Sequence, residues 1–564
     1  MLLPALLAAQ AAPGSLAAST PATVHGVVTN AATGQPLPRA LVRIEGNAEA
    51  GALTDGDGRF EIPGVPTGPQ AFQVLKPGFR DRPLAEDPEM AGGTVGPAHN
   101  ILVAAEMPDL SFTLAPTSSI RGQVELSTGD PAEGIAINLL KRTVVDGRAD
   151  WTLASTTKTN SEGAYRFAGL SDGSYVMYTE PSMENGPAAT LSAGAGHAGY
   201  ASIFYPDARD LAGAARIQLS QGEQAQANFT LTLEPFQTVS IAVGSPQAQT
   251  SASSQTGDSF TAVIMDAAGH QLPYQALYAP QAHTLQALLP DGNYSLLVAS
   301  QPTFRFDGSG QESAQGKNAG PLVGTVDLSV AGHEILNLRV PLSAAHHNPV
   351  QLSIVRTALS PAQTGSSQGG AGQTMVMLSP AAGWMGQGMV NPYAGGAQPG
   401  PMEAAYLAPG SYWAHTNIGL KGICEQSFTA GGASLAREPV VIGLTGSVAP
   451  MTLTLRDDCA RLTLTLPQSL MTMAPGEEPF YTVYVVPDFD STVDLSPATL
   501  RPSTGGSVTL EDLTPGEYHV YMFPASAQLE YRNPAVLAAV ADRGQAVTLS
   551  PETTSSLVLE GPER

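Results

Sequence analysis

Apolar and polar residues alternate with a period of two along much of this chain. Tyr294–Ser300 reads YSLLVAS, Tyr412–Thr416 reads YWAHT and Tyr518–Phe523 reads YHVYMF. Successive side chains of a strand face opposite sides, so these runs predict strands with one buried face. The runs are short, and 59 glycines with 46 prolines punctuate the 564 residues, which suits many strands joined by turns and opposes long helices. One short helix is predicted near the end: Asn533 as N-cap, Pro534 in the first turn, the run Val536–Arg543, and Gly544 as C-cap. The glycine-rich stretch Gly365–Gly400 predicts a long loop or an interrupted hairpin.

One punctuation mark recurs five times, as apolar-x-x-Gly-x-Tyr. It reads GVPTG at Gly64–Gly68, GLSDGSY at Gly169–Tyr175, LLPDGNY at Leu288–Tyr294, YLAPGSY at Tyr406–Tyr412 and DLTPGEY at Asp512–Tyr518. The apolar residue falls at Val65, Leu170, Leu289, Leu407 and Leu513, at spacings of 105 to 119 residues. That is the length of one immunoglobulin-like sandwich, so an all-β tandem array of about five is expected. The domains are placed at 20–115, 116–237, 238–345, 346–457 and 458–564, the fourth carrying the glycine-rich loop and the fifth the helix. In the mark, Gly68, Gly173, Gly292, Gly410 and Gly516 turn the chain, and the preceding leucine plugs the core. Tyr175, Tyr294, Tyr412 and Tyr518 start the next strand, with the ring inside and the hydroxyl reaching backbone at the corner. The first copy lacks this tyrosine and has Pro69–Phe72, PQAF, instead.

The first two copies share more. ATVHGVVTNAATGQPLPRALVRIEG (Ala22–Gly46) followed by TDGDGRFEIPGV matches SSIRGQVELSTGDPAEGIAINLLK (Ser118–Lys141) followed by TNSEGAYRFAGL. These residues resemble the carboxypeptidase regulatory-like domain, over Ala22–Phe79 and Ser118–Tyr178, while the later copies keep mainly the turn and its tyrosine. The resemblance implies transthyretin-like β-sandwiches, grouped with carbohydrate-binding-like folds, in an exported bacterial array. Phe204–Leu231 also resembles a segment of such arrays. A polysaccharide or another cell-envelope component is the partner the resemblance implies.

The net charge of −23 disfavours nucleic acid as a partner, because an acidic surface repels phosphate. Residues 1–19 read as a secretory signal with Ala9-Gln10-Ala11 as a small-x-small cleavage site, although no Lys or Arg precedes Arg39. No later run reaches the roughly 18 apolar residues of a membrane span. A secreted, periplasmic or cell-surface place is expected. In such a compartment Cys424 and Cys459 can pair, a link the chain-entropy model values at roughly 3–4 kcal/mol.

Candidate chemistry is sparse. GLSDG has the G-x-S-x-G pattern with Ser171 as nucleophile, but that motif needs a helix after the turn and a strand is expected here. None of the ten histidines starts a zinc spacing, and His346-His347 sits at a domain junction. Metal candidates are Asp55 with Asp57, and Asp488, Asp490 and Asp494. A calcium loop wants glutamate at its twelfth position, where Pro66 and Thr499 stand. Met375, Met377, Met385 and Met389 read as apolar packing rather than soft-metal ligands. Trp384, Tyr393 and Trp413 are the candidate sugar platform, with Tyr412 facing inward. The expected protein is a non-enzymatic structural or binding array with no cofactor, and carbohydrate binding is its alternative.

Overall fold

The computed structural model describes residues 21–81, 98–184, 197–243, 260–300, 322–344, 350–355, 374–381, 393–395, 400–402, 410–443, 449–471, 480–493, 495, 497–524 and 527–561. They form two compact units, one ending at Pro116 and one built from Thr117 onward. The signal-like segment, His346-His347, Trp384, Met385, Met389, Leu407 and Asp494 lie outside the described residues.

In the first unit, strand Pro21–Asn30 buries Ala22, Val24 and Val28 while its odd positions up to His25 face out, the period of two that the sequence carries. It pairs antiparallel with Arg59–Pro66 and parallel with Leu110–Pro116. The opposing sheet runs Asn47–Leu53, Leu41–Ile44, Gly68–Leu75, His99–Val103. Phe60, Ile62, Val65, Phe72 and Phe112 fill the space between them.

The second unit holds four more sandwiches on this plan, the third sandwich of the chain departing from it in that Ala276–Ala279 pairs with Thr284–Pro290 in the sheet of the first strand. Each first strand pairs parallel with its own last strand: Ser118–Leu126 with Gln224–Gln226 and Phe229–Leu231, Leu233–Ala242 with Ile335–Arg339, Val350–Val355 with Met451–Arg456, and Ala460–Thr465 with Thr554–Val558. Parallel first and last strands put chain entry and exit at opposite ends of a sandwich. One sandwich can therefore hand directly to the next, as at Thr232, the single residue between Phe229–Leu231 and Leu233–Ala242. That strand crosses the boundary expected at 237/238. Strands Ser182–Met183 and His197–Tyr200, from the second sandwich's share of sequence, extend the third sandwich's sheet through it, because its outer edge is open for pairing.

The recurrent mark has a register device of its own. Ile62 and Val65, and likewise Phe167 and Leu170, are three apart yet both buried, which strict alternation forbids. A bulge at Gly64 and Gly169, each at φ 74°, absorbs the extra residue. After the turn, Tyr175, Tyr294 and Tyr518 donate their hydroxyls to the carbonyls of Ser171, Pro290 and Thr514, each four residues back, at 2.8, 2.9 and 2.6 Å. Burial raises the phenol pKa of Tyr294 and Tyr518 and pushes Tyr412 up to about 12.

Of two segments singled out in the sequence, the first takes one of its two expected forms and the second differs at its end. The glycine-rich region of the fourth sandwich contains an interrupted hairpin, Thr374–Pro380 paired antiparallel with Tyr393–Gly395. The helix is only Pro534–Ala539, capped by the Asn533 side chain and followed by a 3-10 turn. Gly544 does not cap it with a left-handed residue: its φ is −83°, and its bare Cα lets the Tyr521 ring come close as the chain enters its last sheet.

Candidate functional site: an interdomain hub

The strands Ala136–Val145 and Arg148–Lys158 form the longest hairpin of the second sandwich, closed by Asp146-Gly147. Both loop residues have positive φ, 49° and 72°, the two-residue turn that Asp-Gly favours. Its tip reaches the junction of the fourth and fifth sandwiches. Arg532 donates Nε to the Asp146 carbonyl at 3.0 Å, Nη1 to Ser491 O at 2.8 Å and Nη2 to Val493 O at 3.2 Å. Its backbone N–H goes to Gly147 O at 3.0 Å. The Arg148 guanidinium lies 3.6 Å from the centre of the Trp413 ring. Nearer the hairpin base, Arg142 pairs with Glu530 at 2.5 Å and Val144 N–H donates to Gln528 Oε1 at 2.9 Å.

Burial shapes the charges here. Desolvation raises the Asp146 carboxyl pKa against the opposing pull of Arg532 and Arg148. Burial, then repulsion from Arg532, lowers Arg148 to about 10. The buried His415 lies 3.2 Å from Asp146 Oδ2 and 2.8 Å from Ser379 Oγ. Serine, histidine and aspartate thus meet, but both oxygens approach the same nitrogen, Nε2. A proton relay needs the hydroxyl on one ring nitrogen and the carboxylate on the other, so this geometry holds the imidazole rather than activating the serine.

The fourth and fifth sandwiches are also joined directly. Glu425, 2% exposed, accepts from Thr492 N–H at 2.7 Å, Thr492 Oγ1 at 2.6 Å and Thr416 Oγ1 at 2.5 Å. Thr514 Oγ1 donates to the Glu425 carbonyl at 2.6 Å. One residue away, Cys424 is disulfide-bonded to Cys459, Cα atoms 5.9 Å apart, which ties strand Cys424–Ala430 of the fourth sandwich to the residue just before the fifth's first strand, Ala460–Thr465.

The residues singled out from sequence have the following places. Asp55 Oδ1 accepts the N–H groups of Asp57 at 2.9 Å and Arg59 at 2.8 Å, and Asn160 does the same for Glu162 and Ala164 at 3.0 and 2.8 Å. The side chain closes a turn, a task aspartate and asparagine share. Beside them Thr54 and Thr159 are buried latches: Thr159 Oγ1 accepts from Ile135 N–H at 2.9 Å and donates to Ala132 O at 2.6 Å. Thr159→Val leaves both backbone groups unpaired, and should lower the stability of the second sandwich by about 1–3 kcal/mol in denaturant titration, where Thr230→Val, on the exposed face of Phe229–Leu231, should cost less. Asp488 pairs with His519 at 2.8 Å and Asp490 with Arg437 at 2.6 Å. Among the described residues no three His, Cys, Asp or Glu side chains gather as a metal site, and no helix is long and apolar enough to cross a membrane.

Ser171 sits between two strands, Ala164–Leu170 and Gly173–Thr179, and its Oγ accepts from Lys141 Nζ at 2.5 Å. Leu170 and Leu289 are buried, as are Tyr175, Tyr294, Tyr412 and Tyr518, while Leu513 is half-buried. Gly68, Gly173, Gly410 and Gly516 have positive φ, but Gly292 does not. Met375 and Met377 alternate with the buried Val376 and Leu378 and are half-buried on the other face. Of the sugar-platform residues, Trp413 has its ring under Arg148, and Tyr393 opens the strand paired with Thr374–Pro380. The hub itself is absent from the sequence reading. VVDGRA carries the hairpin-turn signal, but nothing in it says where the tip docks.

Residues 23–86 match the carboxypeptidase regulatory-like domain family. No curated protein matches the chain. Among solved structures the chain is similar to GBS52, the minor pilin of Streptococcus agalactiae, at 13% identity over 37% of this chain and 95% of that one, with a TM-score of 0.18. It is also similar to a streptococcal ancillary pilin, at 11% identity over 57% and 99% with a TM-score of 0.18. Two B repeat units of the Staphylococcus aureus collagen binding protein match at 10% identity over 73% and 94%, with a TM-score of 0.15. TM-scores this low carry no argument about the arrangement or role of the chain.

Proposed function

We propose that this is an exported, non-enzymatic scaffold in which the second to fifth sandwiches work as one rigid body. The seating of the Asp146-Gly147-Arg148 tip against Trp413, Tyr531 and Arg532 carries this reading. Beads joined by short linkers would bend at every junction. Here the second sandwich grips the fourth and fifth, and a buried carboxylate and a disulfide bind those two to each other. A body so cross-braced keeps its surfaces in fixed register, which is what presenting or spacing a partner at a cell envelope requires. Export and disulfide formation belong to the same reading, since thiols pair outside the reducing cytoplasm.

Spin labels on the otherwise cysteine-free surface test it. Leu153 and Val558 are exposed at 54% and 63%, in the second and fifth sandwiches. With Leu153→Cys and Val558→Cys labelled in the oxidised full chain, pulsed electron resonance should give one narrow distance distribution. A broad one, as from freely jointed beads, overturns the rigid-body reading.

A further inference from the structure

A cleft of about 330 Å³ opens where the second, third and fourth sandwiches meet, next along the strand from Arg148 of the hub tip. Its chemistry comes from Asp150, Trp151, Arg216 and His270, over a floor of Val176 and Leu211. Trp151 packs beside the small buried cluster of Leu140, Val176, Tyr178 and Phe204, which fixes the indole in place. The Arg216 guanidinium is 6.0 Å from the indole centre, at the exposed rim, and has no hydrogen bond or ion pair among the described residues. Asp150 Oδ1 accepts Trp151 N–H at 2.7 Å, which aligns the carboxylate beside the ring. His270 Nδ1 lies 3.2 Å from Asp266, leaving Nε2 as the nitrogen open to a ligand.

We propose that this cleft binds one acidic sugar ring, a pyranose that carries a carboxylate. The volume stands at the lower end of ligand pockets, which admits one or two sugar rings and excludes an extended peptide. An indole offers a flat apolar face for the C–H side of a pyranose. A guanidinium without a partner is matched by a carboxylate, which it can take through two parallel hydrogen bonds. Asp150 and His270 supply acceptors for ring hydroxyls, and Asp150 is half-buried, with burial raising its pKa. A phosphate fits less well: it brings more negative charge beside Asp150 on a chain of net charge −23.

The test is calorimetric titration of the full chain with glucuronate and galacturonate, with their oligomers, and with glucose and galactose. Saturable binding of the uronates, roughly 10- to 100-fold tighter than the neutral sugars, is expected. Tighter binding of oligomers than monomers would assign the source as a polysaccharide, and equal binding would assign it as a free sugar acid. Arg216→Gln, on the exposed rim, should erase the preference for the uronates while leaving the fold intact, and Trp151→Ala should abolish binding of both. No saturable uronate binding at millimolar concentration overturns the site, as does binding that Arg216→Gln leaves unchanged.

Discussion

Gly147→Ala should cost about 2–4 kcal/mol of stability in the second unit, several times more than the same change at an ordinary turn glycine. A methyl group on Gly147 would stand 2.6 Å from three carbons of the Tyr531 ring. The backbone there is at φ 72°, where any side chain is strained. Strain alone is worth about 1 kcal/mol, and Gly129 isolates it: φ is 89°, and a methyl there meets nothing within 4 Å. The excess at Gly147 therefore measures the docked tip. Either Tyr531 moves or the hairpin lifts, and lifting gives up the Arg532 bonds and the Arg148–Trp413 stack together. Hydrogen exchange should show the Arg532 amide losing protection first. Equal costs at Gly147 and Gly129 would mean the tip is not seated in solution.

How far the sequence reveals this protein depends on the range of the interaction. Alternation at Tyr294–Ser300 and Tyr518–Phe523 reports burial across a single strand, and those strands lie where the pattern puts them. The spacing of Val65, Leu170 and Leu289 reports the repeat, because each is buried and plugs the core of its own copy, whereas Leu513 is half-buried. The fifth copy keeps the strand order of the first two although its sequence has drifted, while the third moves Ala276–Ala279 to the other sheet beside Thr284–Pro290 and the fourth adds Cys424–Ala430 beside Met451–Arg456; the parallel pairing of first and last strands is what all five share. The Gly64 and Gly169 bulges were harder to see: only a pair of inward residues three apart hints at them. The hub was invisible for a different reason. Arg142 and Glu530 are 388 positions apart, and each reads alone as an ordinary surface charge. The same holds for the cleft, whose Trp151, Arg216 and His270 come from three separate loops or strands.

Glu425→Ala should be the most damaging substitution at the junction of the fourth and fifth sandwiches, at about 3–5 kcal/mol. The carboxylate is 2% exposed and no cation lies beside it as an ion-pair partner among the described residues; three hydrogen bonds, two of them from Thr492 in the fifth sandwich, hold it. Truncation leaves a cavity, an orphaned Thr492 N–H and two threonine hydroxyls, 3.3 Å apart, with only each other to bond. Glu425→Gln keeps an oxygen for the Thr492 N–H, and the hydroxyls can turn to accept from its amide, so it should cost about 1–2 kcal/mol. The contact lies across a domain boundary, so it also governs cooperativity. In the oxidised wild type the fourth and fifth sandwiches should unfold in one transition, and in Glu425→Ala in two. A double-mutant cycle with Thr492→Ala isolates the pair, with a coupling of about 1–3 kcal/mol expected. Coupling near zero would show that the two sandwiches are tied by the Cys424–Cys459 bond alone, and the scaffold would then hinge at this junction.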